Sequence, residues 1–395
     1  MSAKQNNIER FHFLDGMRGY AILITIFTHS ITANILIYLD KKKLFYISDV
    51  FGGFTSSGPS LFFVLSGMVI LRPYLRGQKI FKPVSYVKGR IRRLYPAYFI
   101  ALVFGTFVVW FNNYYATWYN DRGMRMKFSW LETLKEALVI NFDGQYYNLA
   151  WWSLSVEMFF YMLVPLMIFI APNPKKLSDT KLYSIIVTSI ITVFVIQYIS
   201  TLYFPRVYSL DNVILNVGIF LDFAICFILG MLLAAKDFEI KHAYVFIVSG
   251  VIITLSSYIY FPLIHAKYLA LQESGYALIY SGIIILAFHY KSVNKFWNAP
   301  VLIWYGERSY SLYLIHFSVF YLVDNIVSHF MAGRNIYYAI LTRGIGIPLA
   351  IIACVFLFHY VERKCVRGLN TDHIIWPWQI MRLRKEKSIN DVSAI

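Results

Sequence analysis

The stretch "LDGMRGYAILITIFTHS", residues 14–30, has the apolar character of a membrane span but contains two ionisable side chains. Arg18 and His29 lie eleven positions apart, so an α-helix would separate them by about 16 Å along its axis. Ionisable groups are expensive inside a bilayer, and those that persist there are candidates for function. The structural alternatives are an arginine that reaches out to the headgroups and a histidine that is hydrogen-bonded to a neighbouring helix.

The rest of the chain shares this apolar character. Its 395 residues are 58% hydrophobic and 15% charged, a composition that excludes a soluble globular domain. Windows of about 20 apolar residues, the length that crosses a bilayer, recur almost throughout. We therefore predict an all-α polytopic membrane protein, with a single transmembrane domain over residues 1–375 and a short basic cytoplasmic tail over 376–395. The ten predicted spans cover residues 17–38, 52–71, 95–112, 150–171, 182–203, 213–235, 243–263, 274–290, 309–328 and 337–360.

The net charge of +16 is unevenly distributed along the chain. If residue 1 is cytoplasmic, most of the 37 Lys and Arg residues fall in segments on the inner side, as the positive-inside rule requires. This distribution predicts that both termini are cytoplasmic, and it argues against nucleic acid as a partner. The three Cys residues show no metal-ligand spacing, so no metal is predicted.

A second group of polar residues opens the fourth predicted span, in "NLAWWSLSVEMFFYMLVP", residues 148–165. Glu157 lies about two turns into the apolar run. Ser153 lies on the same helical face and is placed to hydrogen-bond toward it. The structural alternative is a hydrogen bond between helices. Because Glu157 enters from the outer side and His29 from the inner side, we expect the two side chains to approach each other at mid-membrane.

The basic segment "KGRIRRLYP", residues 88–96, contains two arginines three positions apart. Arg90 and Arg93 would therefore share one helical face. Guanidinium groups bind phosphate in a bidentate manner, which suits an anionic cytoplasmic ligand. The alternative is that these cations only set topology and bind anionic headgroups.

Two further ionisable residues lie within predicted spans. His316 is central in the ninth span, where a functional and a structural role are both open, and the role of Asp222 in the sixth span is left open. In "TSSGPSLFFVLSGMVIL", residues 55–71, small residues such as Gly67 favour close helix packing. The Gly58-Pro59 pair predicts a kinked or unwound start of the second span.

The long outer loop 113–149 contains "SWLETLKEALVI", in which Ser129 and Glu132 have the spacing of a capping box. We therefore predict a short helix within this loop. Its aromatic residues, including Trp118, Tyr146 and Tyr147, are candidates for stacking on sugar rings, although Trp and Tyr also mark membrane interfaces.

Six motifs together resemble one family. "LDGMRGYAILITIFTH", "LFFVLSG", "RIRRLYPAYF", "WWSLSVEMFFY", "ERSYSLYLIH" and "YVERK" have the order and spacing found in the acyltransferase 3 family of integral membrane enzymes. The resemblance covers the chain from Leu14 to about Glu362. It implies transfer of an acyl group, usually acetyl from cytoplasmic acetyl-CoA, to a hydroxyl of a carbohydrate such as a surface polysaccharide or O-antigen.

The resemblance also implies roles for individual residues. The family's arginine–histidine pattern falls on Arg18 and His29, and its paired arginines fall on Arg90 and Arg93. The three arginines would bind the phosphates of acetyl-CoA, and His29 would lie where the acetyl group is delivered. The family's serine–glutamate motif falls on Ser153 and Glu157, and His316 lies in a further motif as a supporting residue.

The expected mechanism uses His29 as a general base or transient acyl carrier. Glu157 would orient the imidazole and stabilise its cationic form. Many family members carry an esterase-like domain after the last helix. Here roughly 35 residues follow Glu362, too few for a domain, so we expect the membrane domain to complete transfer alone, as a homo-oligomer or with a separate outer-side partner. The alternative function is a glycan or small-molecule transporter in which Glu157, His29 and Asp222 relay protons.

Overall fold

The computed structural model describes residues 11–114, 128–139, 147–170, 177–203, 220–259, 269–331 and 336–367. These residues form helices and contain no strand, as expected where every backbone polar group must be satisfied inside a lipid phase. Two five-residue π-helical segments, Thr28–Thr32 and Phe358–Glu362, and a 3₁₀ turn, Leu149–Trp151, adjoin the α-helices. The α-helices are α1 (His12–Phe27), α2 (Ala33–Lys41), α3 (Phe45–Ser56), α4 (Gly58–Leu75), α5 (Pro83–Tyr114), α6 (Trp130–Ala137), α7 (Trp152–Ile170), α8 (Asp179–Tyr203), α9 (Ala224–Ala235), α10 (Ile240–Ile259), α11 (Leu269–His289), α12 (Lys291–Trp297), α13 (Pro300–Glu307), α14 (Ser309–Phe330), α15 (Ile336–Leu357) and α16 (Arg363–Arg367).

The predicted all-α membrane architecture is confirmed. Within the described ranges, nine helical segments are long and apolar enough to cross a bilayer, and each contains or overlaps one predicted span. The remaining prediction, 213–235, includes residues 213–219, which lie outside the described part of the chain. Its described part contains α9, whose 12 residues are apolar but too short to span by themselves. The nine segments are His12–Lys41, Phe45–Leu75, Pro83–Tyr114, Leu149–Ile170, Asp179–Ile196, Ile240–Tyr258, Ala270–His289, Ser309–Phe330 and Tyr337–Cys365.

The chain divides into two compact units. Unit 1 contains the described residues of 24–86 and 126–291, and unit 2 contains those of 11–23, 87–125 and 292–395. The helix α1 therefore begins in unit 2 and ends in unit 1. Arg18 belongs to unit 2 and His29 to unit 1.

Unit 1 is built around α4. A Cβ added to Gly67 would lie 2.8 Å from the carbonyl oxygen of Phe227, and one added to Gly230 would lie 2.8 Å from the backbone nitrogen of Met68. The two glycines therefore allow α4 and α9 to pack backbone against backbone, which confirms the close packing predicted at Gly67.

The predicted interruption at the start of the second span is also confirmed. The helix breaks at Ser57, with Pro59 in the first turn of α4, where the missing N–H of proline costs no hydrogen bond. Ser57 Oγ donates to the carbonyl oxygen of Phe54 at 2.7 Å and lies 2.6 Å from Tyr280 Oη. The break thus places the hydroxyl of Ser57, between α3 and α4, beside Tyr280 of α11.

In unit 2, the start of α1 packs tightly against the α12–α13 segment. A Cβ on Gly16 would overlap the carbonyl oxygen of Trp297, and one on Gly19 would overlap that of Leu302. The reciprocal position, Gly306, faces the carbonyl oxygen of Asp15 in the same way. The two glycines of "LDGMRG" are therefore required for packing on either side of Arg18.

The predicted helix in the loop 113–149 is confirmed as α6. Ser129 is its N-cap, and its side chain accepts from the backbone N–H of Leu131 at 3.2 Å. The carboxylate of Glu132 pairs with Lys135 Nζ at 3.0 Å. Tyr147 is 3% exposed and donates its hydroxyl to the carbonyl oxygen of Ser129 at 2.7 Å. Tyr147 therefore anchors the loop and is not available to stack on a sugar, whereas Trp118 and Tyr146 lie outside the described residues.

Candidate active site

The carboxylate of Glu157 lies on α7, one turn before Tyr161, and is half-buried in unit 1. Tyr161 Oη donates a very short hydrogen bond to Glu157 Oε1, and Ser66 Oγ of α4 donates to the same oxygen at 3.3 Å. Both hydroxyls therefore hold the same oxygen of the Glu157 carboxyl group. Ser153 lies one turn earlier on α7 and is buried. Within the described residues, the hydroxyls that donate to Glu157 come from Ser66 and Tyr161.

His29 lies in the π-helical segment Thr28–Thr32, which continues α1 without a break. Single-turn π-helices occur frequently at functional sites because they re-aim side chains. Thr28 Oγ1 donates to the carbonyl oxygen of Thr55 on α3, and the ring of Phe27 packs edge-on against that of Phe51. The His29 segment is therefore held against α3, two residues before the helix break at Ser57.

His29 and Glu157 both belong to unit 1, as their expected meeting requires. A direct hydrogen bond between them is not among the contacts of the described residues, since the donors to Glu157 are Ser66 and Tyr161. Catalytic hydrogen bonds are often long or incomplete without substrate and tighten only in the reacting complex. Asp222, the third intramembrane candidate, is 5% exposed and also lies in unit 1.

The cationic residues lie in unit 2, near the starts of their helices. Arg90 and Arg93 are half-buried on α5, whereas Lys88 and Arg92 are exposed. This pattern supports the prediction that Arg90 and Arg93 share a face. Arg92 Nε instead donates to the carbonyl oxygen of Cys365 at 2.7 Å. For Arg93, the described residues provide no hydrogen bond or ion pair, so its guanidinium is available to an anion.

Arg18 has a carboxylate partner. Its Nη1 lies 3.4 Å from Asp15 Oδ1, one turn earlier on α1, and its side chain is 19% exposed. Because the backbone around Arg18 packs directly on α12 and α13 through Gly16 and Gly19, the guanidinium is displayed from a rigid segment.

His316 is fully buried in α14, among the rings of Tyr313, Phe317 and Phe320. Its Nδ1 lies 3.1 Å from the carbonyl oxygen of Leu312 and 2.9 Å from that of Tyr313. Because carbonyl oxygens only accept, Nδ1 carries the proton in both contacts. These features favour the structural alternative for His316.

The motifs "ERSYSLYLIH" and "YVERK" contact each other in unit 2. Arg308 lies between α13 and α14, with its guanidinium carbon 4.4 Å from the ring centre of Trp304 and 4.7 Å from that of Phe358. Burial lowers the pKa of Arg308 to about 10, which leaves it charged at neutral pH. Ser311 Oγ donates to Glu362 Oε2 at 2.5 Å. "ERSYSLYLIH" and "YVERK" therefore meet in space and join the start of α14 to the end of α15.

Comparison with known proteins gives the family of the chain. Residues 11–359 match the family model of the acyltransferase 3 acyltransferase domain. The chain belongs to the acyltransferase 3 family. A protein of Staphylococcus aureus strain COL named "Putative O-acetyltransferase" is 27% identical over 398 residues, which cover 90% of this chain and 58% of that protein. The O-acetyltransferase OatA of S. aureus strain NCTC 8325 is 27% identical over 351 residues, which cover 81% of this chain and 52% of OatA.

This acyltransferase 3 chain thus spans between half and two thirds of the length of these relatives. No solved structure matches it. Family membership and the nine apolar helices of the described ranges establish an integral, multi-pass membrane protein. Within those ranges, no group of three or more His, Cys, Asp and Glu residues is arranged to hold a metal ion.

A buried carboxyl group of this acyltransferase 3 domain was not predicted from the sequence. Glu273 of α11 is 4% exposed and accepts a very short hydrogen bond from Ser60 of α4. Glu273 lies one residue before the predicted span 274–290, so the sequence pattern places it outside the membrane. The signal in the sequence was a carboxylate followed directly by a long uncharged run, together with a serine in the small-residue segment 55–71.

Proposed function

We propose that this chain transfers an acetyl group from cytoplasmic acetyl-CoA to a hydroxyl of a carbohydrate presented on the outer side of the bacterial inner membrane. Membership of the acyltransferase 3 family supports acyl transfer, and the names of the staphylococcal relatives support O-acetylation. The structural observation that carries the proposal is the intramembrane carboxylate of Glu157, which two hydroxyls on separate helices hold in place. Such a group is costly in a bilayer and is retained where it acts.

The donor would be bound by Arg18, Arg90 and Arg93. All three belong to unit 2 and lie at helix starts that the charge distribution assigns to the cytoplasm. Arg90 and Arg93 present one half-buried face, and guanidinium groups match phosphate oxygens geometrically. Arg18, already paired with Asp15, would contribute a charge whose position is fixed.

The chemical step would use His29 as the base. A neutral imidazole takes the proton of the acceptor hydroxyl while that oxygen attacks the thioester carbonyl. The C–O bond of the new ester forms and the C–S bond of acetyl-CoA breaks. The imidazolium then returns the proton to the departing thiolate, so the products are the acetyl ester and the free thiol of CoA. Glu157 would favour the cationic imidazole as it forms.

The decisive experiment is the His29→Gln substitution in the purified chain. Glutamine keeps a hydrogen-bonding group but cannot act as a base, so acetyl transfer from radiolabelled acetyl-CoA should fall by about 10²–10⁴-fold. Binding of acetyl-CoA, measured by isothermal titration, should be unchanged, and excess donor should not restore turnover. His289→Gln is the matched control, because His289 is exposed at the end of α11.

If His29→Gln stays near wild-type activity, His29 is a packing residue and the proposed mechanism is wrong. If the wild-type chain turns over no acetyl-CoA but moves protons across vesicle membranes, the proton-coupled transporter replaces the enzyme.

A further inference from the structure

Glu273 is a further intramembrane carboxyl group that has no role in the mechanism above. Glu273 lies one turn after the start of α11 and is 4% exposed, and Ser60, which donates to its Oε2, is fully buried. Buried carboxylates normally have several hydrogen-bond donors. Among the described residues, Ser60 is the donor to Glu273 Oε2, and none donates to Oε1.

Further polar side chains extend from Glu273 along the end of the α10–α11 pair. Gln272 Nε2 donates to Tyr258 Oη at 2.5 Å, and Tyr258 Oη lies 3.3 Å from Tyr276 Oη. Ser60, Tyr258, Gln272, Glu273 and Tyr276 are called the Glu273 cluster here. All five belong to unit 1, and together they offer a carboxylate, an amide and several hydroxyls.

The backbone makes room for this cluster. Gly53 of α3 faces Tyr258 Oη and Gln272 Nε2 so closely that a Cβ at this position would overlap both atoms. The break at Ser57 then turns the chain so that Ser60, near the start of α4, reaches Glu273. The same helix α3 receives the hydrogen bond from Thr28, next to His29. The Glu273 cluster and the His29 segment are therefore attached to the same interrupted helix.

We infer that the Glu273 cluster is the binding site for the hydroxyl groups of the acceptor, with Glu273 as the residue that positions a sugar hydroxyl. The inference rests on the proposed function. A carboxylate accepts from a hydroxyl, an amide both donates and accepts, and tyrosine rings offer flat apolar faces to a sugar. The predicted topology puts this end of α10 and α11 on the outer side, where the acceptor is presented. A polyhydroxylated ligand thus matches both the chemistry and the location.

The test uses membrane vesicles from cells that express the full chain, so that the cells' own surface glycans serve as acceptors. Vesicles receive ¹⁴C-acetyl-CoA, and the label is measured in the glycan fraction and as free acetate. Glu273→Gln keeps the size of the side chain and still accepts from Ser60. It should lower glycan labelling about tenfold, as expected for the loss of one hydrogen bond to the acceptor. The KM for acetyl-CoA and the release of free acetate should stay at wild-type values.

Two further variants separate binding from folding. Tyr258→Phe removes one hydroxyl of the cluster and should lower glycan labelling in the same selective way. Glu239→Gln is the matched control, because Glu239 is exposed in the segment between α9 and α10. It should change neither readout.

The outcomes are distinguishable. If wild-type vesicles label no glycan, the proposed function fails and the inference fails with it. If wild-type labelling is normal and Glu273→Gln labels glycan equally well, the inference alone is overturned. A parallel loss of glycan labelling and acetate release in Glu273→Gln would also overturn it, because the carboxylate would then act in folding or in the donor reaction.

Discussion

Substitution of Gly67 by alanine tests whether the helix packing of unit 1 controls the site at Glu157. The added Cβ would lie 2.8 Å from the carbonyl oxygen of Phe227 and 3.1 Å from the Cα of Gly230. Ordinary contact begins at 3.4 Å, so α4 and α9 must separate by roughly 0.6 Å at this point. Both facing atoms are backbone atoms and cannot rotate away. Overpacking of this kind costs about 1–3 kcal/mol.

The same displacement should reach Glu157. Ser66 precedes Gly67 on α4, and its hydroxyl lies 3.3 Å from Glu157 Oε1, close to the limit of a hydrogen bond. A shift of α4 by several tenths of an ångström is larger than the remaining margin. We therefore expect Gly67→Ala to lower both the melting temperature and the rate of acyl transfer. Small misplacements of catalytic groups reduce rates by up to about 10²-fold.

The melting temperature is measured by thermal unfolding in detergent, monitored by size-exclusion chromatography. The rate of acyl transfer is measured by the turnover of labelled acetyl-CoA. Gly344→Ala is the matched control, because no atom lies within 4 Å of a Cβ at that position. Ser66→Ala removes the hydrogen bond without the overlap, so it should reduce activity while preserving the melting temperature. A Gly67→Ala variant that melts and turns over like the wild type would show that the α4–α9 contact does not position the site.

Three other predictions concern the donor site, the topology and the inner ends of α4 and α9. Arg93→Ala should weaken acetyl-CoA binding by about 1.5–3 kcal/mol in isothermal titration, whereas Arg92→Ala should not; equal losses would assign both arginines to topology. Cysteines at Ile80 and Trp130, which are 85% and 76% exposed, should react with an impermeant thiol reagent from opposite sides of the membrane, and reaction from one side would refute the predicted orientation. Arg76, which follows α4, donates hydrogen bonds to Asp237 and holds the pKa of that carboxyl below its ordinary value of 3.8. The ionised carboxylate therefore stabilises the fold above pH 3.8. This contribution disappears as the pH falls through the lowered pKa. Asp237→Asn should therefore lower the melting temperature at pH 7, and the difference should vanish in acid; a difference that persists in acid would contradict the ion pair as its cause.

The sequence by itself determined the features that depend on neighbours along the chain. Nine of the ten predicted spans appear as membrane-length helices, because the need to bury about 20 apolar residues acts within each segment. The N-cap at Ser129 and the break at Ser57 were also predictable, since a side-chain cap and a proline act within one turn. The family could be recognised for the same reason, because each of its motifs is a short stretch of sequence and the motifs occur in a fixed order.

Only the tertiary structure decided which residues meet. Glu157 was recognisable as an expensive group, but its partner Ser66 lies 91 positions away, and Ser60 and Glu273 are 213 positions apart. Tyrosine is a residue type that stacks on sugar rings, yet Tyr147 is buried against α6. No local pattern encodes such pairs, because they depend on how helices with similar apolar surfaces pack against one another. In a bilayer, where burying apolar surface does not select a partner, close backbone contacts such as Gly67 with Gly230 make that selection.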